Sequence, residues 1–169
     1  MVIVEYTAAW PRRFEVERRR IRAAIGPVAR AVEHVGSTAV PGLAAKPIVD
    51  ILVTVGDPGD EQAYVPQLEA AGYVLRVREP DHRMFRTPER DVHVHVWAEG
   101  SDEARKVLAF RDRLRADERD RAEYERTKRA LAGRCRDVNY YARAKGPVIA
   151  DILERSGEAD RDQLEGPHP

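Results

Sequence analysis

Residues 33–55 read EHVGSTAVPGLAAKPIVDILVTV, and the rest of the fold can be worked out from this stretch. A short apolar run at 31–35 and a longer run rich in β-branched residues at 49–55 predict two strands. Gly36 and two proline-containing pairs separate these runs. The connection is therefore predicted to be a tight turn followed by a short helical or looped crossover.

The turn has the chemistry of an anion-binding loop. Gly36 permits backbone conformations that other residues resist, and the hydroxyl groups of Ser37 and Thr38 follow at once. Exposed backbone N–H groups in such a turn, together with the ammonium group of Lys46, predict a seat for a phosphate group.

Asp50 is the one carboxylate inside the second strand. Side chains alternate along a strand, so Asp50 shares a face with Leu52, and a carboxylate there is costly unless it is paired. Two interpretations stay open. Asp50 is either a structural carboxylate paired with Lys46 or an arginine, or a metal- or substrate-binding residue that acts in catalysis.

A later strand candidate, DVHVHVW at 91–97, alternates valine with polar side chains. The valines predict a buried face, and the opposite face carries His93 and His95. With Asp50, two imidazoles at this spacing could bind a transition metal such as zinc or manganese, hold a phosphate, or exchange protons near neutral pH. His95 is the preferred catalytic histidine because it lies further into the strand; the alternative is a solvated polar face.

Hydrophobic periodicity and turn residues divide the rest of the chain. The pattern predicts an α+β fold with an N-terminal helix, a mixed β-sheet and a C-terminal helical bundle, in one domain over residues 1–156. Residues 157–169 lack apolar periodicity and are predicted to form a flexible tail. Helices are predicted at 8–25, 61–71, 102–116, 119–133 and 138–155, and further strands at 73–77, 83–87 and 92–97.

Three of the C-terminal helices carry a cation on an otherwise apolar stripe: Arg111, Lys128 and Lys145. Burying a cation without an anion costs on the order of several kcal/mol. Each side chain alone could reach water along its aliphatic stem. Three on successive helices instead predict a shared pocket for an anion. His82 and Arg83 could join it from the sheet, although lone residues of these types are more often structural.

The composition limits the classes of function. A chain of 169 residues with 43% hydrophobic residues suffices for one domain with a core. Zero net charge and 7% aromatic residues argue against nucleic acid as a partner. The single cysteine, Cys135, fits a reducing compartment, and no run approaches the ~20 apolar residues of a membrane helix. We therefore expect a cytoplasmic protein with no membrane partner.

The segment VGSTAVPGLAAKPIVDI at 35–51 resembles the signature of the GrpB family, which is classed with the nucleotidyltransferase superfamily. The resemblance continues through His82-Arg83-Met84-Phe85 and His93-Val94-His95 to about Ile152. It implies a nucleotidyltransferase-like fold. GrpB-like domains are also found fused to dephospho-CoA kinase, which implies a link to coenzyme A or nucleotide metabolism.

The resemblance also implies a metal site, and this sequence departs from the usual pattern of that site at one position. Active nucleotidyltransferases usually place two carboxylates at alternate positions of the strand that holds Asp50, where they bind divalent metal such as magnesium or manganese. Leu52 stands where the second carboxylate is expected. In the superfamily a third carboxylate comes from a neighbouring strand, in the region of His93 or His95.

Three hypotheses about function remain. The first is an enzyme that transfers a nucleotidyl or phosphoryl group from a nucleotide or phosphorylated metabolite to a small acceptor with the help of a divalent metal. The second is a module that binds such a ligand without turnover. The third, a nucleic-acid-binding protein, is the least favoured. The chain has no Walker-type motif and so is not itself a kinase of that class.

Overall fold

The computed structural model describes residues 2–134, 141 and 143–164. A single five-stranded sheet has the strand order β1-β2-β5-β4-β3. The parallel pair is β2 with β5, and all other neighbours are antiparallel. The predicted mixed sheet is confirmed. Its strands are β1 (Ala31–Val35), β2 (Val49–Val55), β3 (Val74–Glu79), β4 (His82–Arg86) and β5 (Val92–Ala98).

Five α-helices accompany the sheet in the described part of the chain. The predicted helix at 61–71 is divided into a 3₁₀ turn, Glu61–Ala63, and a shorter α-helix that ends before Gly72. Ser101 begins the first C-terminal helix by accepting a hydrogen bond from the Ala104 N–H at 3.3 Å. The helices are α1 (Ala9–Ile25), α2 (Val65–Ala70), α3 (Asp102–Ala116), α4 (Glu118–Arg134) and α5 (Gly146–Leu164).

The C-terminal helix differs from the prediction at its far end. The predicted start at 138 lies outside the described residues, whereas α5 continues through Leu164, so residues 157–164 are helical. The flexibility of the segment from 157 onward stays a prediction. These residues lack an apolar stripe, yet Glu, Ala, Arg, Gln and Leu are good helix formers and no proline occurs before Pro167. Residues 165–169 lie outside the described residues.

The two faces of the sheet have different cores. One face packs Ile51, Val53, Val94 and Val96 against α1 and α2 in a large apolar cluster. On the other face, Leu52 packs with Val35 and with Ala104 of α3. The remainder of that second face carries polar side chains and is where the candidate site lies.

In the part of the chain that the structure describes, no helix is both long and apolar enough to cross a membrane.

Candidate metal and anion site

The parallel register of β2 and β5 brings three predicted ligands together. Asp50 pairs with His93 and Leu52 pairs with His95, so the three polar side chains project from the same face. Nδ1 of His93 lies 3.5 Å and Nε2 of His95 3.8 Å from Oδ1 of Asp50. One ligand atom from each residue lies within 4.8 Å of the other two. The histidine face that the alternating sequence predicts is confirmed as part of one cluster with Asp50.

These separations are too long for hydrogen bonds and suit a shared ion. Nitrogen and oxygen ligands at about 2.0–2.2 Å from one tetrahedral ion lie ~3–4 Å apart. Two imidazoles and one carboxylate also leave coordination positions for water or substrate, the pattern of catalytic rather than structural zinc sites. The residues present therefore fit a divalent transition metal, and the two imidazole donors favour zinc over magnesium or manganese.

Gly36 determines how closely the turn approaches Asp50. Its backbone has φ 70° and ψ −172°, a region that side chains with a Cβ rarely adopt. A Cβ at this position would lie 2.7 Å from Oδ2 of Asp50. The glycine thus lets the turn and its 3₁₀ continuation, Ser37–Ala39, close over the carboxylate.

Asp50 is held as a carboxylate. Its desolvation by burial would raise the pKa, but the contacts with His93 and His95 outweigh that effect and hold the pKa well below its usual range. An ionised Asp50 is the form that a metal cation requires.

A cleft of about 360 Å³ opens above this cluster. It is lined by three of the chain's four lysines, which approach from the β1–β2 connection, from α4 and from the residue that precedes α5. The lining residues are Ser37, Lys46, Ile48, Asp50, His93, His95, Lys128, Tyr141 and Lys145. Of the three cations on the helix stripes, Lys128 and Lys145 line this cleft and Arg111 does not.

Lys128 is the most deeply buried of these lysines, with 1% of its surface exposed. Its ammonium group donates to the Ala44 carbonyl and lies 4.9 Å from the centroid of the Tyr124 ring. Burial, together with the charge of Lys145, lowers the pKa of Lys128 to about 7. A bound anion would favour the charged ammonium, so this site gains from an anionic ligand.

Lys145 lies 4.8 Å from the centroid of the Tyr141 ring. Burial lowers the pKa of Lys145, while the charge of Asp50 acts in the opposite direction. The buried Lys128 and the half-buried Lys145 thus line the same cleft as the candidate metal ligands, in a region where a phosphate group would be stabilised.

Gly36 and Thr38, two residues of the predicted phosphate seat, do not line the cleft. The Thr38 hydroxyl is 3.0 Å from Nε2 of His34 and is almost fully buried. Gly36 contributes backbone and space rather than a side chain. Of the predicted turn residues, Ser37 is the one that lines the cleft.

Arg83 lies on the opposite face of the sheet. It shares that face with Phe85 and pairs with Glu61, which also binds Arg78 at 2.8 Å. Arg83 therefore does not line the cleft that holds the other candidate residues. Neighbouring side chains in a strand point to opposite faces, so His82 and Arg83 cannot serve the same pocket.

Arg111 is engaged elsewhere. Its guanidinium group lies 2.8 Å from Glu33 and 3.1 Å from the His34 carbonyl oxygen, and it does not line the cleft. This half-buried cation is compensated by two carboxylates, Glu33 of β1 and Asp112 of its own helix. The predicted ligand role of Arg111 is not supported by its position.

His82 reaches the site only through another residue. Its Nε2 lies 3.1 Å from Nδ1 of His95, and it does not line the cleft. Ile48 and Tyr141 do line the cleft, although the sequence analysis did not single them out as site residues. Tyr141 precedes Lys145 by four residues, a helical spacing that could have identified it.

Leu52 is completely buried in the cluster with Val35 and Ala104. The position where the superfamily pattern expects a second carboxylate is therefore closed beneath α3. Any metal centre on this strand has Asp50 as its single strand-β2 carboxylate.

The mixed sheet with helices on both faces gives this chain an α+β fold of the nucleotidyltransferase-like kind. The chain belongs to the GrpB family, whose profile, described as GrpB protein, it matches over residues 1–155. A UPF0157 protein of Streptomyces coelicolor is 54% identical over 158 residues, which cover 93% of this chain and 84% of the relative.

Solved structures agree with this assignment. The crystal structure of the conserved protein GrpB from Enterococcus faecalis superimposes with a TM-score of 0.80 at 30% identity, covering 91% of this chain and 98% of that chain. A chain of the GLD-2/RNP-8 complex shares the fold with a TM-score of 0.51 at 16% identity, over 86% of this chain and 58% of that one.

A further sequence relative is a dephospho-CoA kinase of Mycolicibacterium paratuberculosis, which is 31% identical over 87% of this chain and 44% of its own length.

Proposed function

We propose that the cleft binds a nucleotide or another phosphorylated metabolite together with a divalent metal ion, and that the protein transfers a nucleotidyl or phosphoryl group to a small acceptor. One observation carries the proposal. The candidate ligands Asp50, His93 and His95 line the same cleft as three lysines, Lys46, Lys128 and Lys145. Cation-binding and anion-binding groups meet there, as a metal–phosphate ligand requires.

Each residue has a role in this proposal. Asp50, His93 and His95 would hold the ion, which when bound would supply Lewis-acid stabilisation of phosphate charge. The three lysines neutralise the remaining negative charge, and the Ser37 hydroxyl offers a hydrogen bond to a phosphate oxygen. Asp50 and His95 are the proposed catalytic residues. His95 is suited to proton exchange with an acceptor hydroxyl when its Nε2 is not coordinating the ion.

The test is the thermal unfolding of the purified protein with nucleoside triphosphates, coenzyme A precursors, magnesium, manganese and zinc. A ligand at 100 times its dissociation constant stabilises a protein by about 2.7 kcal/mol, which gives an easily measured rise in Tm. We expect a rise that needs both phosphorylated ligand and metal, and its loss in Asp50→Ala. An unchanged response of a folded Asp50→Ala variant would remove Asp50 from the site.

A second candidate function is ligand binding without turnover. The buried Leu52 favours it, because two-metal phosphoryl transfer uses a second carboxylate that this strand lacks. The similarity to part of a dephospho-CoA kinase is consistent with a module that serves coenzyme A or nucleotide metabolism. Incubation of a ligand identified by its Tm shift with candidate acceptors separates the two: product formation supports the enzyme, and binding without product supports the module.

A further inference from the structure

A continuous line of polar contacts runs from the protein surface into the candidate metal site. Oε2 of Glu79, at the end of β3, lies 3.0 Å from Nδ1 of His82. Nε2 of His82 lies 3.1 Å from Nδ1 of His95. The remaining nitrogen of His95, Nε2, faces Asp50 at 3.8 Å. The outer end of the line is solvated, since the Glu79 side chain is 62% exposed and that of His82 is 17% exposed.

The two imidazole rings are oriented for a hydrogen bond. Their planes differ by 7° with centroids 5.4 Å apart, so the N–H of one ring can point along the lone pair of the other. Trp97 supports both rings on the same face of the sheet. Its ring lies 4.5 Å from that of His82 and 5.3 Å from that of His95, with interplanar angles of 13° and 7°.

For two neutral imidazoles, the three groups have one consistent arrangement of protons. An ionised carboxylate only accepts hydrogen bonds, so Glu79 requires an N–H at Nδ1 of His82. A neutral His82 then has its lone pair at Nε2, which must accept a hydrogen bond from Nδ1–H of His95. The lone pair of His95 is thereby left at Nε2, the atom that faces Asp50.

We propose that Glu79 and His82 are positioning residues that fix the Nδ1–H tautomer of His95, so that its Nε2 lone pair is presented to the metal site. This inference rests on the proposed metal-binding function. Ligating histidines usually donate their other ring N–H to an outer partner, and loss of that partner typically weakens metal binding by about 10–100-fold. Here the outer partner is a second histidine, which is itself held by a surface carboxylate.

The first measurement uses the metal-free protein. Long-range ¹H–¹⁵N NMR spectra of the imidazoles distinguish a nitrogen that carries a proton from one that carries a lone pair. We expect wild-type His95 to carry its proton on Nδ1, and Glu79→Ala to shift the proton towards Nε2. Glu79→Gln removes the same charge but keeps an oxygen acceptor, so it should retain the Nδ1–H tautomer.

The second measurement is cobalt(II) or zinc affinity, with the visible absorption of cobalt as a spectroscopic readout. We expect Glu79→Ala and His82→Ala to weaken binding about 10–100-fold, and Asp50→Ala to abolish it. Glu103→Ala is the matched control. Glu103 lines a surface cavity together with Glu79 and His82, so this variant removes a nearby carboxylate. Glu103 pairs with Lys106 rather than with His82.

The outcomes separate this inference from the proposed function. If metal binding is lost in Asp50→Ala but unchanged in Glu79→Ala, the metal site stands and the positioning role is refuted. If wild-type protein binds no metal, the proposed function fails, and the tautomer measurement alone decides whether Glu79 and His82 control His95. A proton on Nε2 of His95 in the wild-type apo protein would refute the inference. Glu79 is exposed, so its variants should fold.

Discussion

Gly36 is the residue on which the position of Asp50 depends most directly. Any larger residue is opposed by the backbone φ of 70° at Gly36. It is also opposed by contact, because a Cβ atom at this position would lie 2.7 Å from Oδ2 of Asp50. Gly42 has a similar φ of 78°, but a Cβ atom at that position would have no non-neighbouring atom within 4 Å. The two glycines therefore separate backbone strain from displacement of the carboxylate.

We predict that Gly36→Ala and Gly42→Ala both lower the free energy of unfolding, by about 1–3 kcal/mol from backbone strain. Only Gly36→Ala should also weaken metal binding, because its methyl group must displace Asp50. Urea unfolding and zinc titration of both variants measure the two effects. Equal metal affinities in the two variants would contradict the role of Gly36 as a spacer for Asp50.

His34 is a buried residue whose protonation opposes folding. Its Nε2 contacts the Thr38 hydroxyl, and its ring stacks on Phe14 with centroids 4.9 Å apart. Burial, with a further contribution from the charge of Arg115, lowers the pKa of His34 from 6.5 to about 4. Above pH 6.5 the ring is neutral in both the folded and the unfolded chain, so it adds no pH dependence there.

As the pH falls from 6.5 towards 4, the unfolded chain binds a proton that folded His34 does not, and stability falls. At 1.36 kcal/mol per pKa unit, the full loss is about 3 kcal/mol. We predict that His34→Gln loses less stability than the wild type between about pH 7 and pH 4.5 in urea unfolding. Parallel pH profiles for the two proteins would show that His34 does not titrate in this way.

The carboxylate of Asp120 contacts two neighbouring helices at once. Oδ2 of Asp120, at the start of α4, lies 2.6 Å from Arg113 of α3, and its Oδ1 lies 2.8 Å from Arg155 of α5. The same layer carries Lys128 and supports the segment that carries Lys145. The position of the cleft wall relative to the sheet therefore depends on this junction.

We predict that Asp120→Ala lowers the free energy of unfolding by about 1–3 kcal/mol, because Arg113 and Arg155 lose a shared acceptor. It should also weaken binding of the phosphorylated ligand, since the wall that carries the lysines becomes less fixed. Asp120→Asn keeps an oxygen acceptor and should lose less stability. Denaturant unfolding and ligand titration of the two variants test this, and an unchanged alanine variant would contradict it.

Across the whole molecule, the candidate ligand would bridge two layers. The candidate metal-binding residues belong to the sheet, and two of the lysines that line the cleft belong to its helical side. On the other face, α1 and α2 close the main core without contributing to the cleft. Ligand binding should therefore stabilise one side of the molecule more than the other.

We predict that the metal and phosphorylated ligand together increase amide hydrogen-exchange protection in α4 and α5 more than in α1. The reason is that local opening of the helical layer must break contacts with the ligand, whereas opening around α1 need not. Hydrogen-exchange mass spectrometry with and without ligand measures the difference. A uniform increase over the whole chain would instead indicate that opening is global.

Local patterns were sufficient to predict much of this molecule. The bounds of β1 and β2 and the two-residue alternation of β5 follow from apolar and β-branched side chains that must reach a core, and the structure confirms them. The resemblance of 35–51 to the GrpB signature added the fold. Alternation also argues against Arg83, which lies on the face of Phe85 rather than that of His82.

Contacts between distant parts of the chain required the tertiary structure. Arg111 could have reached the cleft or Glu33, and only the packing of α3 against β1 selects the carboxylate. The link from Glu79 through His82 to His95 depends on the pairing of β4 with β5 and on ring orientation. Periodicity fixes which face a side chain occupies, because that is a local property of the backbone. The partner it meets there depends on register and packing, which the whole chain determines together.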